Sequence, residues 1–308
     1  MAEPTFILHH YEASPYAEKI RLLFGLAGLS WGSVLSPPMP PRPNVDPLSG
    51  GYRRIPIGQI GADIICDTHL IAIELAHRAN RPDLNPTSIP RAIAALVERA
   101  EGEVFFSAIG SVKPLKVMLK LLAVFGPLGM IRFIKDRAEM MKSGNTQAPK
   151  GDEAQAIFNN FLVDLDAVLA KQTFLAGDEP GYADFAVFHP IWLKTNVGGD
   201  ALGNAYPHVS RWFERIPHIG HGAREELEAI DAYNAAKDNE PRPLPESDPD
   251  TDLLGKMVSI VPNDYGCVPV LGVLVAQTPE RYIVARQTDD FGAIHCHFPR
   301  TGYEVIAQ

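Results

Sequence analysis

The sequence predicts an α/β unit, an all-helical domain and a small all-β unit, one after another along 308 residues. Three observations carry this. Up to about residue 80, short apolar runs alternate with segments of helical spacing. From residue 89 to about 236 the helical patterns are long and strand signals almost vanish. From residue 257 the apolar period falls to two. A stretch dense in Pro, Asp and Glu, residues 237–252, precedes the last change and reads as a linker. The expected organisation is 1–80, 86–236, a linker at 237–251, and 252–308.

Composition sets outer bounds. The length suits two compact domains or two plus an appendage, and 46% hydrophobic with 21% charged residues allows a sizeable core without disulfides or metal. The 37 acidic and 28 basic residues give a net charge of −9, which argues against broad attraction to nucleic acid or an anionic membrane. A local basic pocket for a small anion stays compatible with it. Three widely spaced cysteines, Cys66, Cys267 and Cys296, point to a reducing compartment. With no basic and apolar leader around Glu3 and Pro4, a cytoplasmic protein is expected. The most apolar stretch, residues 117–134, is interrupted by Lys120, Gly126, Pro127 and Arg132, falls short of a spanning segment of roughly 20 residues, and reads as a buried helix.

In the first part, residues 5–8 form a strand candidate and 11–15 a loop. Ile20, Leu23, Phe24 and Ala27 then keep helical spacing until Gly28, a plausible stop. A strand near 31–35, a proline-crowded loop over 37–47, and short strands at 57–60 and 63–65 joined at Gly61 follow. Asp67 or Thr68 opens a helix running to about residue 79. This β-α-β-β-β-α order suits a small mixed sheet. Helices are expected at 91–109, 115–142, 152–171, 182–193, 206–216 and 223–236. Strands are expected at 257–261, 268–276, 282–287, 293–298 and 303–306, with turn signals that suggest a small barrel.

Three constellations carry possible chemistry. In Ser14-Pro15-Tyr16-Ala17-Glu18-Lys19-Ile20-Arg21 a hydroxyl precedes the proline that begins a helix. There, unpaired NH groups and the positive dipole end stabilise an anion such as a thiolate, although alone the pair is an ordinary cap. In Arg53-Arg54-Ile55-Pro56-Ile57 a proline stands before a short strand. A cis bond there fits, and the turn would expose the Ile55 backbone to an extended peptide. Alone, it is a plain turn. Asp67-Thr68 opens a helix after an apolar strand. Its hydroxyl and fresh NH groups suit a carboxylate and its acid an ammonium, hence an α-amino-acid head group.

The order and spacing of all three resemble the glutathione-binding half of the glutathione S-transferase superfamily, whose first domain is thioredoxin-like and whose second is helical. The run from Phe174 to Asp184 resembles that family's helical-domain signature, with Asp184 at the capping aspartate and Gly181 where a Ser or Thr is usual. The resemblance covers roughly residues 5 to 220. It implies that Ser14 meets the glutathione sulfur, as in Ser-type members, and favours thiolate activation over disulfide exchange. It implies Ile55 as backbone partner of the cysteinyl unit, Pro56 as the cis proline, and Asp67 with Thr68 as the pair holding the γ-glutamyl end, Asp reaching less far than the usual Glu. Arg53 or Arg54 would meet the glycyl carboxylate.

The expected function is therefore a cytoplasmic, homodimeric glutathione transferase of the detoxification type, with glutathione as co-substrate and an apolar electrophile lying against Phe105, Phe106, Val117, Leu121 and Phe125. The alternatives are a non-catalytic scaffold on the same fold, or a glutathione-dependent lyase, isomerase or dehalogenase. His9 and His10 end the first strand near the presumed sulfur site and read as structural. His295 and His297 share one face of a strand and Cys296 the other, so no metal site is expected. Neither nucleic acid nor membrane is expected as a partner. The β module is expected to dock on the helical domain or a partner subunit, and to contribute no catalytic group.

Overall fold

The computed structural model describes residues 4–248 and 251–308. The first part contains β1 (Phe6–His10), α1 (Pro15–Ala27), β2 (Ser30–Leu35), a short α2 (Asp46–Ser49), β3 (Ile57–Ile60), β4 (Asp63–Cys66) and α3 (Thr68–Ala79). Helix α1 ends where expected, at Gly28, whose φ of 65° is a left-handed conformation that costs glycine little. Strand β1 runs parallel to β2 and antiparallel to β3, and β3 antiparallel to β4, which is the mixed sheet of a thioredoxin-like domain. Alternation along β1 sends Phe6 and Leu8 to the face packed by α1 and α3, and Ile7 to the opposite face.

The helical domain comprises α4 (Arg91–Arg99), α5 (Phe105–Gly110), α6 (Pro114–Lys142), α7 (Gly151–Leu169), α8 (Tyr182–Trp192) and α9 (Pro207–Arg215). The helix expected at 91–109 is broken by a π-turn, Ala100–Val104, in which Gly102 leaves helical geometry. Asp184, fully buried, accepts hydrogen bonds from the backbone NH of Leu175 and Gly181, each at 3.0 Å, and from Trp212 Nε1 at 2.8 Å. With no side chain at Gly181 to reciprocate, this one carboxylate ties the start of α8 to α9 by itself.

Helix α6 is not the buried helix expected. None of its residues is buried, Val124 is 71% and Leu128 79% exposed, and it is bent at Gly126 (φ 66°, ψ 178°) before Pro127. By length and composition alone it is apolar enough to cross a membrane, so the interruptions weighed less than expected. The segment expected as helix 223–236 is divided: β5 (Ala223–Glu226) pairs parallel with β2, and α10 (Ala229–Lys237) follows.

Strands β6 (Met257–Pro262), β7 (Val270–Gln277), β8 (Arg281–Thr288), β9 (Gly292–Pro299) and β10 (Tyr303–Ala307) lie within two residues of their expected positions. Each pairs antiparallel with the next through β9, and β10 returns to β6. The module does not dock on the helical domain as a separate body. Strand β9 pairs parallel with β4, matching Asp63 with His295 and Ile65 with His297, so one sheet runs β10-β6-β7-β8-β9-β4-β3-β1-β2-β5. A single apolar cluster joins Ile7, Tyr52, Ile57 and Ile64 of the first part to Val258, Leu274, Val284 and Phe298 of the module, with Ala232 and Ala236 of α10. Each such large side chain buried is worth about 1.5–3 kcal/mol.

Polar contacts fasten the same seam. Asp63, 1% exposed, accepts from His297 Nε2 at 2.7 Å and from the Arg242 NH at 2.9 Å. Glu74 on α3 is bracketed by Arg242 at 2.8 Å and by Arg281. Burial alone would raise the Glu74 carboxyl, but the two guanidinium groups bring it down to about 2. Burial lowers His297, so its neutral ring donates to Asp63, while Cys296 faces the apolar side. The expected linker is thus pinned at Arg242, and Asp248 NH reaches Gln277 O at 2.7 Å; Pro249 and Asp250, also within that linker, lie outside the described residues.

Candidate functional site

A cavity of about 450 Å³ opens where the three parts meet. The first part lines it with Tyr16, Lys19, Arg54, Ile55, Pro56 and the Asp67-Thr68 pair; the helical domain with Glu101, Gly102, Phe106 and Tyr182; the β module with Asp264 and Tyr265. Of the residues singled out in the sequence, Arg54, Ile55, Pro56, Asp67 and Thr68 come together here. The Ile55-Pro56 bond is cis, as expected.

Asp67 has φ 80°, ψ 138°, a conformation that non-glycine residues seldom adopt, and its Oδ1 accepts from His69 NH at 2.9 Å to cap α3. Its Oδ2 accepts from the Tyr303 hydroxyl at 3.0 Å and lies 3.7 Å from Arg54. Thr68 and His69 are the first residues of α3 and line the cavity, where helix NH groups without intrahelical partners favour an anion. Arg54 also pairs with Asp264 and donates to Tyr265 O at 2.7 Å. A cation between two carboxylates, beside a helix N-terminus, suits a zwitterionic head group better than a lone carboxylate. Arg53 is elsewhere: it binds both oxygens of Asp136 on α6.

Ser14 is absent from the cavity wall. It is 1% exposed, and its Oγ accepts from Ala17 NH at 3.1 Å, which is the capping geometry. Tyr16, two residues on, faces the cavity instead, its ring against Phe105 at 4.6 Å and His189 at 5.0 Å. Burial pushes its hydroxyl well above the usual range, so it stays a hydrogen-bond donor at neutral pH. Lys19 lies one helical turn beyond on the same face. Its Nζ donates to Glu101 Oε1 at 2.8 Å, which also accepts from the Tyr182 hydroxyl at 2.9 Å.

The expected apolar wall is likewise corrected. Phe106 lines the cavity; Phe105 stands behind Tyr16, and Val117, Leu121 and Phe125 lie on the outward α6. His9 and His10 are structural, as expected. His9 Nε2 pairs with Gln59 at 2.8 Å, His10 with Ser33 and Arg21, each at 3.0 Å, and burial lowers their rings to about 4 and about 3. Sequence reasoning missed Tyr16 and Lys19; their spacing of three within the Ser14–Arg21 run is the one local signal that could have found them. No local pattern marks Glu101, Asp264 or Tyr265, which reach the cavity through tertiary structure alone.

Comparison with known proteins agrees with this fold. The glutathione S-transferase N-terminal domain family matches residues 8–83, and the C-terminal domain family residues 121–219. A GST-like protein from Pseudomonas syringae is 31% identical over 99% of this chain and 100% of its own, with a TM-score of 0.75. The chain belongs to the glutathione S-transferase superfamily. That likeness extends through the β module, which neither domain family covers. A glutathione S-transferase domain-containing protein from Marinobacter aquaeolei is 13% identical over 68% of this chain and 97% of its own, with a TM-score of 0.48. Glutathione S-transferase III is 19% identical over 78% of this chain and 100% of its own, at 0.47. A search of curated proteins gave no match.

Proposed function

We propose that the protein is a cytoplasmic, homodimeric glutathione transferase. The observation that supports this best is the convergence of Ile55, Pro56, Asp67 and Thr68 on one cavity. The γ-glutamyl ammonium sits at Asp67 and its carboxylate at Thr68 and the start of α3. The cysteinyl unit pairs with the Ile55 backbone, and the sulfur faces Tyr16 rather than Ser14. The thiol loses its proton to solvent, the sulfur electron pair forms the C–S bond, and the displaced pair leaves with the departing group. With Lys19, Glu101 and Tyr182 also lining the cavity, the electrophile carries hydrogen-bonding groups and is not purely apolar.

Calorimetry tests this. Removing a charge-assisted hydrogen bond costs about 1.5–3 kcal/mol, so Thr68→Ala and Asp67→Ala should each weaken glutathione binding by roughly 10- to 150-fold. Unchanged affinity in both would sink the placement. The burial of Ser14 away from the cavity wall favours a second reading, a binding scaffold without turnover. Glutathione that binds without any shift of its thiol pKa would decide for that reading.

A further inference from the structure

The loop between β6 and β7, residues 263–269, brings the β module to the cavity, and it is held from three directions. Asp264 O accepts from Thr146 NH at 3.2 Å and Thr146 Oγ1 at 2.9 Å, beyond the end of α6. Gly266 NH donates to Met140 O at 2.8 Å. On the side of the first domain, the Arg54 guanidinium lies 4.2 Å from the Tyr265 ring centre and binds Asp264. Phe106 meets the Tyr265 ring edge-on at 5.6 Å. A side chain held by so many neighbours keeps its hydroxyl in one place.

That hydroxyl donates to the Tyr16 hydroxyl oxygen at 3.3 Å. A phenol carries one hydrogen and can also accept. Since Tyr265 supplies the hydrogen of this bond, the Tyr16 hydrogen is left to point to another acceptor, and both residues line the cavity. We propose that Tyr265 is a positioning residue that fixes the Tyr16 hydroxyl toward the sulfur of bound glutathione, so that thiol activation depends on the C-terminal module. The inference rests on the transferase reading. The thiol S–H bond breaks with its electron pair kept on sulfur, the proton passes to water, and Tyr16 remains protonated while donating to the thiolate. A donor already accepting a hydrogen bond is the stronger donor, which makes the pair act as a unit. Burial raises both tyrosine hydroxyls above their usual range and so preserves the donor state.

The test uses the full chain with glutathione, titrating the thiolate absorbance of the bound tripeptide against pH in wild type, Tyr265→Phe, Tyr16→Phe and the double variant, with affinity measured by calorimetry. Tyr265→Phe should raise the bound thiol pKa by about one unit, the equivalent of one lost hydrogen bond, and change glutathione affinity by less than about threefold. Tyr16→Phe should raise it further, and the double variant no further still, because Tyr265 acts through Tyr16. A wild-type titration in Tyr265→Phe, or a double shift equal to the sum of the single ones, overturns the inference alone while glutathione still binds. No binding of glutathione to the wild type overturns the transferase reading itself, and this inference with it.

Discussion

The β module and helix α6 both extend the two-domain body, and they are attached by opposite means. The module is fused through the ladder between β4 and β9, a shared apolar cluster and a buried ionic seam at Asp63 and Glu74. Helix α6 buries no residue and is fastened by polar contacts near its ends: Lys116 to Asp200 at 3.1 Å, Lys120 to Asn196 O at 2.8 Å, and Asp136 to Arg53. The contrast shows that apolar content does not decide what a segment is for. A module behind a proline-rich tether is integral, while one of the most apolar helices stands outside the core.

The largest break in this contrast is removal of the module. Ending the chain at Asp250 exposes the edge of β4 and strips cover from Ile7, Tyr52, Ile57 and Ile64. Each lost apolar contact of that kind costs about 2–5 kcal/mol against a total stability of about 5–15 kcal/mol. The truncated chain should therefore fail to fold; a soluble product with the wild-type melting temperature would show the module to be separable after all.

Next is the seam. Glu74→Ala removes the carboxylate shared by Arg281 and Arg242, which keep Glu280 at 2.7 Å and Asp63 at 3.3 Å respectively, and should cost about 1.5–3 kcal/mol, read from denaturant unfolding. The same carboxylate sets an acid limit. Its folded pKa of about 2 lies below the ordinary 4.5, so its stabilisation is complete above about pH 4.5 and is lost as pH falls toward 2. That amounts to about 3 kcal/mol. His297, whose pKa is also lowered, works in the same direction, because acid would force a charge onto a buried ring. Unfolding measured from pH 6 to pH 2 should show wild type losing stability steeply and Glu74→Ala much less; parallel curves would exclude Glu74 from the seam.

Much of the fold was legible in the sequence because its signals are local. Periodicity placed the strands of both sheet halves, and Gly28, Pro56 and Asp67-Thr68 mark their turns and caps by chemistry that acts within a few residues. What stayed hidden is non-local. The strand at Ala223–Glu226, with the sequence Ala-Arg-Glu-Glu, has no apolar alternation and exists because the edge of β2 accepts it. The partnership of β4 with β9 joins residues more than 200 positions apart, and nothing near Asp63 or His295 announces it. The site followed the same rule: the family-like residues were found from their spacing, whereas Tyr265 required the fold. Ser14 shows the reverse error, a motif position that caps its own helix and lies off the cavity wall.

The smallest effect sharpens the comparison most. If α6 is held only near its ends, then Val124→Ser and Leu128→Ser, at positions 71% and 79% exposed, remove side chains that contribute little to folding. Surface changes of this type usually stay within about 0.5 kcal/mol. Leu274→Ala, at a fully buried position of the module, should instead cost about 2–5 kcal/mol. Both values come from chemical denaturation at two protein concentrations. A loss above about 2 kcal/mol at Val124 or Leu128, growing with protein concentration, would mean that a second copy covers the helix in solution. The distinction between the fused module and the fastened helix would then be one of the single chain and not of the assembled protein.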